Sequence, residues 1–211
     1  MVTLLANQHM RVAMLLYAGF QMLEVSGPMD VFHQANRLYG EVLYEPHLLG
    51  PSPGPVRSSN GIAVNATGSL LETSTPFDTI VVPGSPVIGS VREHRELVAW
   101  LGDAGAKTRR LVCISSGAFL VARAGLANHR LLAAHWRDAH RLAAENPLVH
   151  VMPNPGCLKD GNLYSSGGAS AGIHVALSLV REDLGDHAVK TISAALLAPP
   201  DQSAGPEKTA P

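Results

Sequence analysis

Three nearly unbroken apolar blocks, Arg11–Tyr17, Asp78–Val82 and Arg110–Ile114, constrain the fold of this chain more than any other feature. A strand with one wet face alternates polar and apolar residues; a strand covered on both faces reads as a continuous apolar run. Each block runs into small or turn-forming residues and then a pattern of helical period. Buried strands alternating with helices predict an α/β sandwich with a mostly parallel sheet and helices on both faces.

The rest of the chain fills in that plan. Ser26-Gly27-Pro28 reads as a helix start with proline in the first turn, and Gly40 stops the helix after Val31, Phe32, Ala35, Leu38 and Tyr39. A strand is expected over Tyr44–Leu49, a loop over Pro51–Pro55, and a turn at Ser58-Ser59-Asn60-Gly61 between short extended pieces. Ser90 with Glu93 reads as a capping box, followed by the apolar face Val91, Leu97, Val98 and Leu101. Further helices are expected after Ser115-Ser116-Gly117 up to Gly125, over Trp136–Glu145, from Ser170 through Leu184, and over His187–Leu197. Val149–Met152 reads as extended, and Leu158–Ser165 as a hairpin. Residues 11–197 are expected to form one domain, with a flexible N-terminus over 1–10 and a Pro/Ala-rich disordered tail or linker stub over 198–211.

Composition excludes several classes. At 211 residues and 46% apolar content the chain can bury a sizeable core. A formal net charge of −1 with no Lys/Arg-rich run argues against direct nucleic-acid binding. No apolar run approaches the ~20 residues of a membrane span. Cys113 and Cys157 sit in no metal-ligand spacing and read as reduced thiols of a cytoplasmic protein. The histidines show no zinc-type spacing, so neither a metal nor a cofactor is expected.

The sharpest chemical feature is Cys113-Ile114-Ser115-Ser116-Gly117 at a strand-to-helix junction. In a nucleophile elbow the reactive residue sits on a strained turn, with small neighbours two positions either side. That would lift the Ser115 hydroxyl above the strand ends, where α/β sheets hold their ligands. The same residues also fit an ordinary serine N-cap.

Four motifs then carry a resemblance. Gly19-Phe20-Gln21-Met22-Leu23-Glu24-Val25-Ser26-Gly27-Pro28, Ser116-Gly117-Ala118-Phe119-Leu120, His135-Trp136, and Ser166-Gly167-Gly168-Ala169-Ser170 occur in the order of the ThiJ/PfpI superfamily. They are most similar to the sensing domain of GlxA-type AraC regulators. The resemblance implies a flavodoxin-like, three-layer sandwich of the class I glutamine-amidotransferase type, usually a homodimer. It implies a site of Ser115, Glu24 and His135, with Gly84, Ser85, Ser116, Gly117 and Ser166 as ligand-binding candidates.

The family's cysteine position is Ser115 here, and Cys113 would point back along the buried strand. Serine lacks the redox chemistry of a thiolate and attacks only when a base takes its proton. His135 is the candidate base, or a packed histidine beside Trp136. Glu24 is either a hydrogen-bond acceptor in the site or an acid favoured by the helix dipole. Gly84 and Ser85 could form an ordinary loop or offer an amide to a ligand. Ser165 and Ser166 line the pocket or bond to backbone.

The leading expectation is a module that binds a small polar metabolite, with little or no catalysis. The alternative is a hydrolase or hydratase, similar to isonitrile hydratases and amidases, that uses Ser115 with His135 and Glu24. A third reading, interaction through a dimer surface alone, requires the pocket to be filled by side chains. In the regulators a DNA-reading domain follows; these residues contain none, so the chain reads as a fragment cut at a linker or a free-standing relative.

Overall fold

In the computed structural model, which describes residues 9–72, 76–88, 95–153, 156–168 and 170–196, Val12, Ala13, Met14, Leu15 and Leu16 are all fully buried. Only a strand covered on both sides can do this. The three apolar blocks become β1 (Met10–Leu15), β6 (Thr79–Val82) and β7 (Arg110–Ile114), adjacent in the middle of one sheet. Between β1 and β6 lie α1 (Met22–Tyr39), β2 (Tyr44–Gly50), β3 (Gly54–Arg57), β4 (Ala63–Ala66) and β5 (Gly68–Ser69). Helix α2 (Arg95–Gly105) precedes β7, and a single 3₁₀ turn, Ser115–Gly117, leads from β7 into α3 (Ala118–Arg123). The chain continues through β8 (Leu131–Ala134), α4 (Trp136–Glu145), β9 (His150–Pro153), β10 (Leu158–Asp160), β11 (Leu163–Ser166) and α5 (Ala171–Leu196).

The main sheet has seven strands in the order β10-β11-β7-β6-β1-β2-β5. Every pairing is parallel except β10 with β11 at the edge. The crossover from β1 to β2 moves toward one edge and that from β6 to β7 toward the other. Crossovers of this kind are right-handed, so α1 and α2 cover opposite faces. This is the expected three-layer α/β sandwich of flavodoxin type. The reversal of direction leaves a crevice at the carboxyl ends of β1 and β6, the place where open α/β sheets bind ligands.

The structure corrects the reading of the first helix. It begins at Met22, not at Ser26, and Pro28 lies well inside it. Gly27 and Pro28 mark a close helix–helix contact rather than a start. A Cβ on Gly27 would lie 2.7 Å from Ile173 of α5, and one on Gly172 of α5 would lie 3.6 Å from the Pro28 ring. The hydrogen bond that proline forfeits is offset by burial between the two helices. Strand β8, read as no element in the sequence, pairs in parallel with β9 as a separate two-stranded sheet. Part of the expected Pro51–Pro55 loop belongs to β3, which pairs with β4 across the expected turn. The Ser90–Glu93 capping box, Val91, and residues 1–8 and 197–211 lie outside the described residues.

At the amino ends of the strands the described residues include a network of paired charges. Arg110, 2% exposed, donates to Asp183 Oδ2 at 2.7 Å, Asp78 Oδ1 at 3.1 Å and Thr79 Oγ1 at 3.0 Å. Arg109 donates to Asp78 Oδ2 at 2.6 Å and Asp183 Oδ1 at 3.2 Å. The Tyr44 hydroxyl donates to Asp183 Oδ2 at 2.8 Å. Burial pushes the Asp78 carboxyl up, but hydrogen bonds from Arg109 and Thr79 and the charge of Arg110 outweigh it and hold Asp78 below the usual range. The network locks α5 to β2, β6 and β7 just before Gly185, whose φ of +85° breaks that helix.

A candidate binding site over the carboxyl ends of the strands

Strand β7 is buried throughout and delivers Ser115 onto a bend with φ +51°. For a residue with a Cβ this left-handed conformation costs about 1–2 kcal/mol, so the surrounding fold must impose it. The neighbour that permits the bend is Gly117. A Cβ there would lie 2.8 Å from the Pro83 carbonyl oxygen and closer still to that of Val82. The start of α3 therefore rests directly on the end of β6, and only glycine allows that approach.

Ser116 joins the same two segments. Its Oγ accepts from the Ser85 N–H at 2.8 Å and donates to the Ser85 carbonyl at 2.8 Å. The loop after β6 is thereby fixed against the bend. Gly84 is the next constrained position, since a Cβ would fall 2.6 Å from Ser116 Oγ and 3.1 Å from Glu24 Oε2. Its N–H donates to Glu24 Oε2 at 2.5 Å, and its carbonyl accepts from the Gln21 N–H at 2.9 Å.

Glu24 projects from the first turn of α1 beneath this loop and is fully buried. Burial raises its pKa from 4.5 to about 7, against the lowering effect of the Gly84 N–H. Its Oε1 has no hydrogen-bond partner among the described residues. Cys113, two residues before the bend, is fully buried and burial pushes its thiol pKa up, so it supplies no thiolate.

Above the bend lies an open cavity of about 450 Å³, within the range of small-molecule sites. Ser115, Ser116 and Ser85 form one side with Gln21; Pro86, Val87 and Ile88 add an apolar wall; His135, Arg137, Asp138 and Arg141 close the other. The cavity is not filled by side chains, as the reading of a purely interacting protein required. Gly84, Glu24 and Gly117 sit under the floor rather than in its lining. Ser166, at the end of β11 beside Ile114, is fully buried, is not part of the lining, and its Oγ has no partner among the described residues. Ser165 Oγ accepts from the Ala133 N–H at 2.9 Å and so ties β11 to β8.

His135 is positioned by β8 and caps α4. Its Nδ1 accepts from the Arg137 N–H at 3.3 Å, and its ring lies 5.6 Å from that of Trp136. Among the described residues Ser115 Oγ bonds to neither His135 nor Glu24. The sequence reading missed Arg137, Asp138 and Arg141. Their signal was the i, i+4 spacing of Arg137 and Arg141 on one helix face directly after the His135-Trp136 pair.

Comparisons with known proteins bear on the family and the fold. A profile of the DJ-1/PfpI family matches residues 10–182. An isonitrile hydratase of Pseudomonas putida is 29% identical over 96% of this chain and 85% of its own length. The HTH-type transcriptional regulator GlxA of Rhizobium meliloti is 27% identical over 87% of this chain and 56% of its own length, so the chain spans about half of that regulator. The crystal structure of an AraC family transcriptional regulator from Pseudomonas putida superposes with a TM-score of 0.78 at 24% identity, covering 88% of this chain and 98% of that one. Among the described residues no helix is long and apolar enough to cross a membrane.

Proposed function

The chain belongs to the DJ-1/PfpI family, and on that premise we propose that it is a small-molecule-binding domain, similar to the sensing part of GlxA-type regulators, with little or no catalysis. The observation that carries this reading is the engagement of His135. Its Nδ1 caps α4 by accepting the Arg137 N–H, so the neutral ring holds its proton on Nε2 and has no free lone pair to take a proton from Ser115. A serine without a base is a poor nucleophile. Glu24 does not supply one, because its Oε2 is taken by Gly84 and its burial favours the neutral acid below pH 7. An open cavity above a hydroxyl with no base suits holding a ligand better than cleaving one. The same reading has the protein as a cytoplasmic homodimer holding a small polar metabolite.

The rival reading, a hydrolase or hydratase resembling the isonitrile hydratase relative, makes Ser115 reactive. A serine-directed fluorophosphonate separates the two. No labelling is expected at neutral pH, whereas labelling that disappears in Ser115→Ala overturns the binding reading. Thermal-shift screening of polar metabolites is expected to yield a ligand that raises the unfolding midpoint.

A further inference from the structure

We propose that the ligand is a small organic carboxylate with a short apolar end, its anionic group directed to Arg137; this rests on the binding reading above. The polar groups that the cavity still offers are mainly donors. His135 Nδ1 is occupied, so the ring nitrogen left for a ligand is Nε2, which carries the proton. The Ser115 hydroxyl is unengaged among the described residues. The guanidinium of Arg137 lies 5.0 Å from the Trp136 ring and has no carboxylate partner among the described residues.

Charge points the same way. Arg141 is held by Glu145 at 2.6 Å, but Glu145 also serves Arg123 at 3.2 Å. One carboxylate thus answers two guanidiniums. Among the described residues Asp138 is the only acid in the lining, and it sits in the first turn of α4, where the helix dipole stabilises it. Among the described residues three guanidiniums against two carboxylates leave one positive charge, which matches a monoanion. A dianion such as phosphate would meet Asp138 without a second uncompensated cation. The planar fork of Arg137 suits a carboxylate in two parallel hydrogen bonds. Pro86, Val87 and Ile88 accommodate the apolar end.

The test is isothermal titration with sodium benzoate and sodium butyrate beside benzamide, butyramide, benzylamine and butylamine, at fixed ionic strength. The carboxylates are expected to bind at least about 5-fold tighter than the amides and amines. Arg137→Gln is expected to weaken them by about 5-fold, the scale of a partly exposed ion pair, without changing the unfolding midpoint. Val87→Trp, at the mouth, is expected to abolish binding. Tighter binding of an amide or amine, still blocked by Val87→Trp, overturns the carboxylate assignment while the binding reading survives. Carboxylate binding that ignores both variants places the anion elsewhere and also overturns it. If no probe binds, and no metabolite raises the unfolding midpoint, both readings fail.

Discussion

The two ends of the central sheet handle charge in opposite ways. At the amino ends, Arg109, Arg110, Asp78, Asp183 and Tyr44 answer one another through short hydrogen bonds. At the carboxyl ends, Glu24 is buried with no cation partner among the described residues, Ser115 is held at a positive φ, and Ser116 both accepts from and donates to the Ser85 backbone. The contrast shows where the fold is secured and where it leaves polar atoms for something else to bind. An unanswered polar atom is costly unless a ligand or a strained geometry makes use of it.

That contrast breaks most readily at Arg110. Arg110→Ala removes the buried guanidinium that serves both Asp183 and Asp78, leaving them to the half-exposed Arg109, and is expected to cost about 3 kcal/mol, read from denaturant melts. A loss below about 1 kcal/mol would erase the difference between the ends. Removing the charge at the other end has the opposite sign. The folded pKa of Glu24, about 7, lies above its ordinary value of 4.5, so its stabilising contribution is full below pH 4.5 and is lost as pH rises through 7. Glu24→Gln is therefore expected to match the wild type in acid and to gain on it by roughly 3 kcal/mol at pH 8, measured as the difference between two stability–pH curves. A pair of parallel curves would show that the carboxyl is not held neutral.

Two backbone variants sharpen the comparison on a smaller scale. Gly117→Ala pushes a methyl against the Val82 and Pro83 carbonyls and is expected to lose about 1–3 kcal/mol. Ser115→Gly releases the left-handed strain but adds freedom to the unfolded chain, for a net gain of about 0.5–1 kcal/mol. A loss of about 0.5–1 kcal/mol in Ser115→Gly, the bare entropic cost of glycine, would mean that the bend stores no strain.

The buried strands were legible because a nearly unbroken apolar run that ends in turn residues fits a strand covered on both faces, and the structure buries residues 12–16 completely. The bend at Ser115 was legible as one of two readings, because small residues two positions either side fit an elbow and also an ordinary serine N-cap. The start of α1 was not, because a proline read locally signals a first turn, while Pro28 is placed by α5, far away in the chain. Leu131–Ala134 carries no period that distinguishes a strand from a helix. Without β8, the direction of α4 could not be known, and neither could the approach of Arg137, Asp138 and Arg141 to Ser115. The role of His135 as a cap depends on that same direction.

The wall that bears the arginines hangs from the main sheet by a few identifiable ties. Ser165 Oγ holds the Ala133 N–H, Asp160 Oδ2 holds the Leu131 N–H at 2.8 Å, and the Arg130 guanidinium donates to the Asp160 carbonyl. Floor and wall thus come from different segments of the chain, tied to each other at points such as the Arg123–Glu145 pair and Arg141 over the Phe119 ring. Chemical preference can drift through substitutions on the hanging piece while the strained platform beneath stays untouched, which lets one architecture be retuned to new small molecules without being rebuilt.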